Sequence, residues 1–162
     1  MTLDAHVLPA CGLYKTHAAV PDYADDVPAG TLVYFHNHSD QGPPMIQLPA
    51  HNRHNKWLFH KRGYLVSDHE YLATMQRMRP EGLYRLAEHF HPNAEQVVDQ
   101  HALVQLGYTK QAEPILFFPM VEEGHNGLRF PDRGIKINER VYAYLEPLSL
   151  RGPHVPRTRH LH

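Results

Sequence analysis

Apolar residues fall in short runs along the chain, separated by polar stretches punctuated with proline and glycine. In the first half the runs cover residues 12–16 (GLYKT), 31–38 (TLVYFHNH), 45–48 (MIQL), 56–59 (KWLF) and 64–66 (YLV). Each has the length and the β-branched or aromatic content of a strand. Residues 71–78 (YLATMQRM) read equally well as a short helix or a strand. The fourteen prolines recur about every ten residues, which suits many short strands and turns better than long helices. Four residues ending in Arg-Gly separate Phe59 from Tyr64 and again Phe130 from Ile135. This spacing predicts a tight hairpin at both places, with Pro131 presetting φ and Gly63 and Gly134 at positive φ.

The second half repeats the pattern of the first. HNKWLFHKRG at 54–63 returns as HNGLRFPDRG at 125–134, and GLYK at 12–15 as GLYR at 82–85. Pro21 pairs with Pro92, Val27 with Val98, Leu32 and Val33 with Leu103 and Val104, and Tyr71 with Tyr142, at an offset of 71. The offset slips to 70 at the first strand and between Pro44 and Pro49, as length changes in loops allow. An ordered series of this kind marks an internal duplication. The expected organisation is an N-terminal arm (1–11), two copies of one unit (12–81 and 82–152) and a basic tail (153–162). Each copy opens on GLYK or GLYR, passes a long polar loop such as HAAVPDYADDVPAG, and continues through LVYF, PMIQLP and WLF. In this architecture it resembles the Src-homology-3-like small barrels. The resemblance implies an all-β protein of two tandem small SH3-like barrels; the alternative is one pseudo-twofold barrel or sandwich built from both copies.

Each copy is a control for the other. Side chains alternate across a strand, so Val33 and Phe35, matched by Val104 and Leu106, mark the core face. Trp57 and Phe59, matched by Leu128 and Phe130, join them. The opposite face carries Leu32, Tyr34, His36 and His38 where the second copy has Leu103, Gln105, Gly107 and Thr109. Leu58 and Leu65 stand where the second copy has Arg129 and Lys136. The second copy thus has a polar outer wall, and the first a patch of Tyr34, His36, His38, Leu58 and Leu65. Such a patch packs within the chain, binds a partner or ligand, or holds a metal.

Composition narrows the function. The net charge of −1 with neutral histidines gives no footprint for nucleic acid or anionic membrane. No apolar run reaches bilayer length, and a cytoplasmic protein is expected. The single cysteine, Cys11, excludes an internal disulfide and any multi-cysteine zinc site. Fifteen histidines are many. His36 and His38 lie about 7 Å apart on one strand face, a workable spacing for Zn, Fe or Ni with His51 as a third ligand. GTLVYFHNH also resembles the first half of a cupin signature, but the expected glutamate three or four residues on is absent. Asp22, Asp25 and Asp26 read as a solvated loop. No Gly-rich phosphate loop, GxSxG or HExxH occurs, and no residue is assigned a catalytic role. The expectation is a binding or assembly module without a cofactor, whose first-copy patch meets a protein or ligand partner or a second copy of the chain. The alternative is a His-ligated metalloprotein, a small metal-dependent oxygenase or isomerase.

Overall fold

The structure, a computed structural model, describes residues 7–124 and 126–148. The basic tail at 153–162 lies outside the described residues. The protein is all-β. Its first half runs β1 (Gly12–Lys15), β2 (Leu32–His36), β3 (Met45–Gln47), β4 (Pro49–Arg53), β5 (Lys56–Phe59), β6 (Tyr64–Leu65), α1 (His69–Ala73) and β7 (Gln76–Arg77). Its second half runs β8 (Gly82–Leu86), β9 (Leu103–Tyr108), β10 (Pro114–Phe117), β11 (Met120–Val121), β12 (Leu128–Arg129), β13 (Ile135–Lys136), α2 (Glu139–Ala143) and β14 (Leu145–Pro147).

Each half builds one antiparallel five-stranded sheet, in the order β6-β3-β2-β1-β7 and β13-β10-β9-β8-β14. Element for element the two orders are the same. Neither sheet closes into a barrel, so the architecture is a pair of open sheets. From each sheet a two-stranded hairpin departs, β4–β5 and β11–β12.

Residues 71–78 prove to be half helix and half strand. The Asp68 carboxylate accepts the Tyr71 N–H at 3.0 Å, and the Asn138 side-chain oxygen accepts the Val141 N–H at 3.0 Å. These caps nucleate one helical turn in each half. The chain then returns to the sheet edge as β7 or β14.

The chain reverses at a different place from the one the Arg-Gly spacing predicts. β4 pairs with β5 while β3 pairs with β6, so residues 60–63 are a bend within one long hairpin arm. The reversal lies at His54 and Asn55, with φ of 53° and 65°, the paired left-handed conformations of a two-residue hairpin turn. The segment AHNRHN, which reads as a loop, is therefore mostly β4. Gly63 and Gly134 are not at positive φ. They are needed because a Cβ would strike the Ile46 carbonyl oxygen in one half and the Leu116 carbonyl oxygen in the other.

Val33 and Phe35 sit in the first core with Tyr14, Val20, Val27, Ile46 and Leu72. The second core crosses the boundary between the halves. Leu13, Leu32 and Met78 join Tyr84, Leu86, Val104, Leu106 and Leu116, with Tyr34, Trp57 and Phe59 packed against them. Leu32 is fully buried, and its N–H donates to the Lys110 carbonyl at 2.8 Å. The face of β2 assigned to an outer wall is thus covered by the second half at its Leu32 end. Trp57 and Phe59 likewise serve the shared core rather than the core of their own half.

The polar face of β9 is covered as well. The Asn55 amide nitrogen donates to Gln105 Oε1 at 2.9 Å and to the Pro131 carbonyl at 2.9 Å. Gln105 Nε2 returns a bond to the His54 carbonyl at 3.0 Å. A Cβ on Gly107 would lie 2.9 Å from the Asn55 carbonyl oxygen and 3.0 Å from the Phe117 ring. Gly107 is therefore a close-approach glycine, and the expected solvated wall is the landing platform for the first half's hairpin.

Three tyrosines of the second half hold the connection between the halves. Tyr84 Oη donates to the Pro80 carbonyl at 2.6 Å, and Tyr108 Oη to the Arg79 carbonyl at 2.7 Å. Tyr142 Oη accepts the Arg79 N–H at 2.8 Å and lies 3.0 Å from Tyr108 Oη. Burial raises the pKa of Tyr84 and Tyr108, so both remain neutral hydroxyls able to donate.

Candidate functional site

A cleft of about 330 Å³ opens where the first half meets the connecting segment, walled by Tyr34, Trp57, Phe59, Cys11 and Glu81. Strand alternation supplies the aromatic walls, because Trp57 and Phe59 project from the same side of β5. Trp57 is fixed at both ends. Its indole Nε1–H donates to the Tyr108 carbonyl at 2.7 Å, and its backbone N–H donates to Glu81 Oε2 at 3.0 Å. The Lys110 ammonium stands over the indole at 5.8 Å. The Tyr34 ring lies 5.6 Å from Phe59 and 4.7 Å from His36, so the cleft wall is preorganised.

Glu81 is the acidic group of this cleft, which Lys56 and Arg77 also line. Its second oxygen, Oε1, is buried and has no hydrogen-bond partner. Burial pushes its pKa up to about 7, against the opposing pull of the Trp57 N–H and the Lys56 charge. An unpartnered carboxyl oxygen in an apolar setting is costly, and a donor that reached it would relieve that cost. Cys11 occupies the matching position in the first half, since CGLYK aligns with EGLYR. Its sulfur accepts the Asn37 N–H at 3.4 Å.

The residues expected in the first-copy patch separate into three places. Tyr34 and His36 share one face of β2. Cross-strand register puts Gln47 beside Tyr34, and Met45 then Leu65 beside His36, so Tyr34, His36 and Leu65 do share a face. Leu58 stands apart on the hairpin, 53% exposed and opposite His51. His38 lies beyond β2, exposed, with Nδ1 2.8 Å from the Asn37 side-chain oxygen.

The three histidines expected as metal ligands are not assembled. His36 Nε2 is engaged with Gln47 Oε1 at 2.8 Å, and His51 is on the departing hairpin. Among the described residues, no three His, Cys, Asp or Glu side chains gather in a metal-binding group. The fold explains this, because β4 leaves the sheet at Pro49 and carries His51 out with it.

The sequence pattern missed Glu81. The signal was present in the duplication, as a carboxylate against a thiol immediately before the shared Gly-Leu-Tyr. The position precedes β8 rather than lying in it, so strand alternation does not mark it.

Compared with known proteins, the chain matches no family model, no curated sequence and no solved structure. Among the described residues, no helix is long and apolar enough to cross a membrane.

Proposed function

We propose that this protein is a binding and assembly module, and that its cleft takes a ring or apolar end group carrying one hydrogen-bond donor, from a protein or small-molecule partner. The observation that carries this reading is the unpartnered Glu81 Oε1 beside Tyr34, Trp57 and Phe59. Aromatic walls with a few placed polar groups, here Glu81, Lys56 and Arg77, are the usual composition of a ligand pocket, and the cleft volume lies at the lower end of the range for such pockets. Glu81 is held by the Trp57 main-chain N–H. Its role is to accept a donor and fix orientation. The first-half patch contributes through Tyr34, with the His36 ring tilted against it at 4.7 Å.

Trp57 is the only tryptophan, so its indole N–H gives one nuclear magnetic resonance cross-peak that reports on the cleft. Above about pH 7, where Glu81 is ionised, titration with p-cresol should shift that peak saturably. 4-Methylanisole, which keeps the ring and lacks the donor, should bind about tenfold more weakly, as loss of one charge-assisted hydrogen bond implies. Equal affinity for the two probes, or no saturable shift with either, would refute the reading.

A further inference from the structure

The β11–β12 hairpin corresponds to β4–β5. Three exposed large apolar side chains lie on it: Met120, Val121 and Leu128, at 50%, 72% and 54% exposure. Leu128 occupies the place of Trp57 and pairs with Val121. Apolar groups gathered at the exposed end of a hairpin mark a contact surface.

The fold also shows what such a hairpin docks on. In the second half, the tip of β4–β5 lands on Gln105 and Gly107, whose cross-strand partners are Phe117 and Ile115. The same register positions in the first half hold Tyr34, His36, Gln47 and Met45, with Leu65 beyond Met45. His36, Met45 and Leu65 are half-buried. A groove of about 580 Å³ opens beside Met45 and Leu65 and reaches Ser39, Lys61 and Arg62. The Ser39 hydroxyl in its wall is buried without a partner.

Charge agrees with this pairing. The tip of β4–β5 is flanked by Arg53 and Lys56, and its bond to the Pro131 carbonyl sets it beside Asp132. In the other pair the sign is exchanged on the tip and at one rim position. The tip of β11–β12 carries Glu122 and Glu123, and the first-half rim has Lys61 in the place of Asp132; Arg62 matches Arg133, and Asp40 is the one acidic residue lining the groove. Glu122 is bonded to Arg129 at 3.2 Å, which leaves Glu123 for the rim.

We infer that β11–β12 of one molecule docks on the His36–Met45–Leu65 face of a second copy of this chain, head to tail, with Glu123 against Lys61 and Arg62. This repeats between molecules the contact that already joins the two halves. It does not rest on the cleft reading, because the receiving groove and the cleft share no lining residue. A heterologous contact of this kind propagates into a filament or closes into a ring.

Sedimentation of the full chain tests it. The mass-average should rise with concentration past that of a dimer. The plug variant Val121→Asp/Leu128→Asp and the receiver variant Leu65→Glu should each be monomeric and folded. Leu65 aligns with Lys136, so the position already tolerates charge in the other half. Mixed together, the two variants should form a one-to-one dimer and stop, because one live plug then meets one live receiver. A rim variant, Lys61→Glu/Arg62→Glu, should associate about tenfold more weakly, and Glu123→Lys in the same chain should restore association, as for opposed rim charges. A wild type that stays monomeric, a receiver variant that still self-associates, or a mixture that does not pair would overturn the inference.

Discussion

Asn55 and Gln105 stand fifty residues apart in sequence and join side chain to side chain at 2.9 Å. The amide that makes this bond sits on a residue with φ of 65°, so one residue both turns the hairpin and locks it to the other half. Asparagine suits both tasks, because it tolerates the left-handed region and carries two side-chain donors. Both donors are used, one on Gln105 and one on Pro131.

Asn55→Gly should therefore separate the two tasks. Glycine relieves the left-handed backbone but leaves Gln105 Oε1 and the Pro131 carbonyl without the bonds they had. The net loss should be about 1–3 kcal/mol, the cost of orphaned partly buried acceptors. Asn126→Gly in the second half, where the side chain is exposed, should change stability by no more than ~0.5 kcal/mol. Chemical denaturation of the two variants provides the comparison. Equal effects would mean that the contact between the halves contributes nothing.

The shared core makes a second prediction, about fragments. The second half draws on Leu13, Leu32 and Met78, and on the aromatic cover of Tyr34, Trp57 and Phe59. Residues 82–148 alone would expose that core, and residues 12–81 alone would expose the side chains that complete it. Neither fragment should melt cooperatively, whereas mixing the two should restore a transition and the dispersed signal of the Trp57 indole. A cooperative transition in either isolated fragment would contradict the crossing core.

Much of this was legible in the sequence, and the parts that were not share one cause. Alternation in LVYF identified Val33 and Phe35 as core, and the repeated GLYK and HN motifs marked an internal duplication. Alternation cannot say what lies against the second face of a strand. Leu32 and Gln105 therefore read as parts of an outer wall, although both face the other half. The Arg-Gly spacing misled for a related reason. It marks where a bent strand must pass close to a carbonyl, and that closeness needs glycine as strictly as a positive φ does. Metal ligation was read from the strand spacing of His36 and His38 with His51 in a nearby loop, whereas His51 belongs to β4, which leaves the sheet.

Glu81 gives a pH dependence whose direction is fixed by its burial. The folded pKa is raised to about 7 from 4.5. Between those values the folded protein keeps a proton that the unfolded chain has lost, so stability falls as pH rises through that interval. The contribution is complete below about pH 4.5 and gone above about pH 7. Glu81→Gln stays neutral throughout and retains an oxygen for the Trp57 N–H. Relative to wild type it should be neutral to stability at the acid end and stabilising above about pH 7. The gain should be about 1–2 kcal/mol once the shift is discounted for the solvent that still reaches the group. Taking the difference between two proteins that share all fifteen histidines removes their titration from the result. Urea melts across the interval read it directly. A difference that stays flat with pH would mean that Glu81 ionises as a solvated carboxylate, and the cleft would then lose its one unpartnered acceptor.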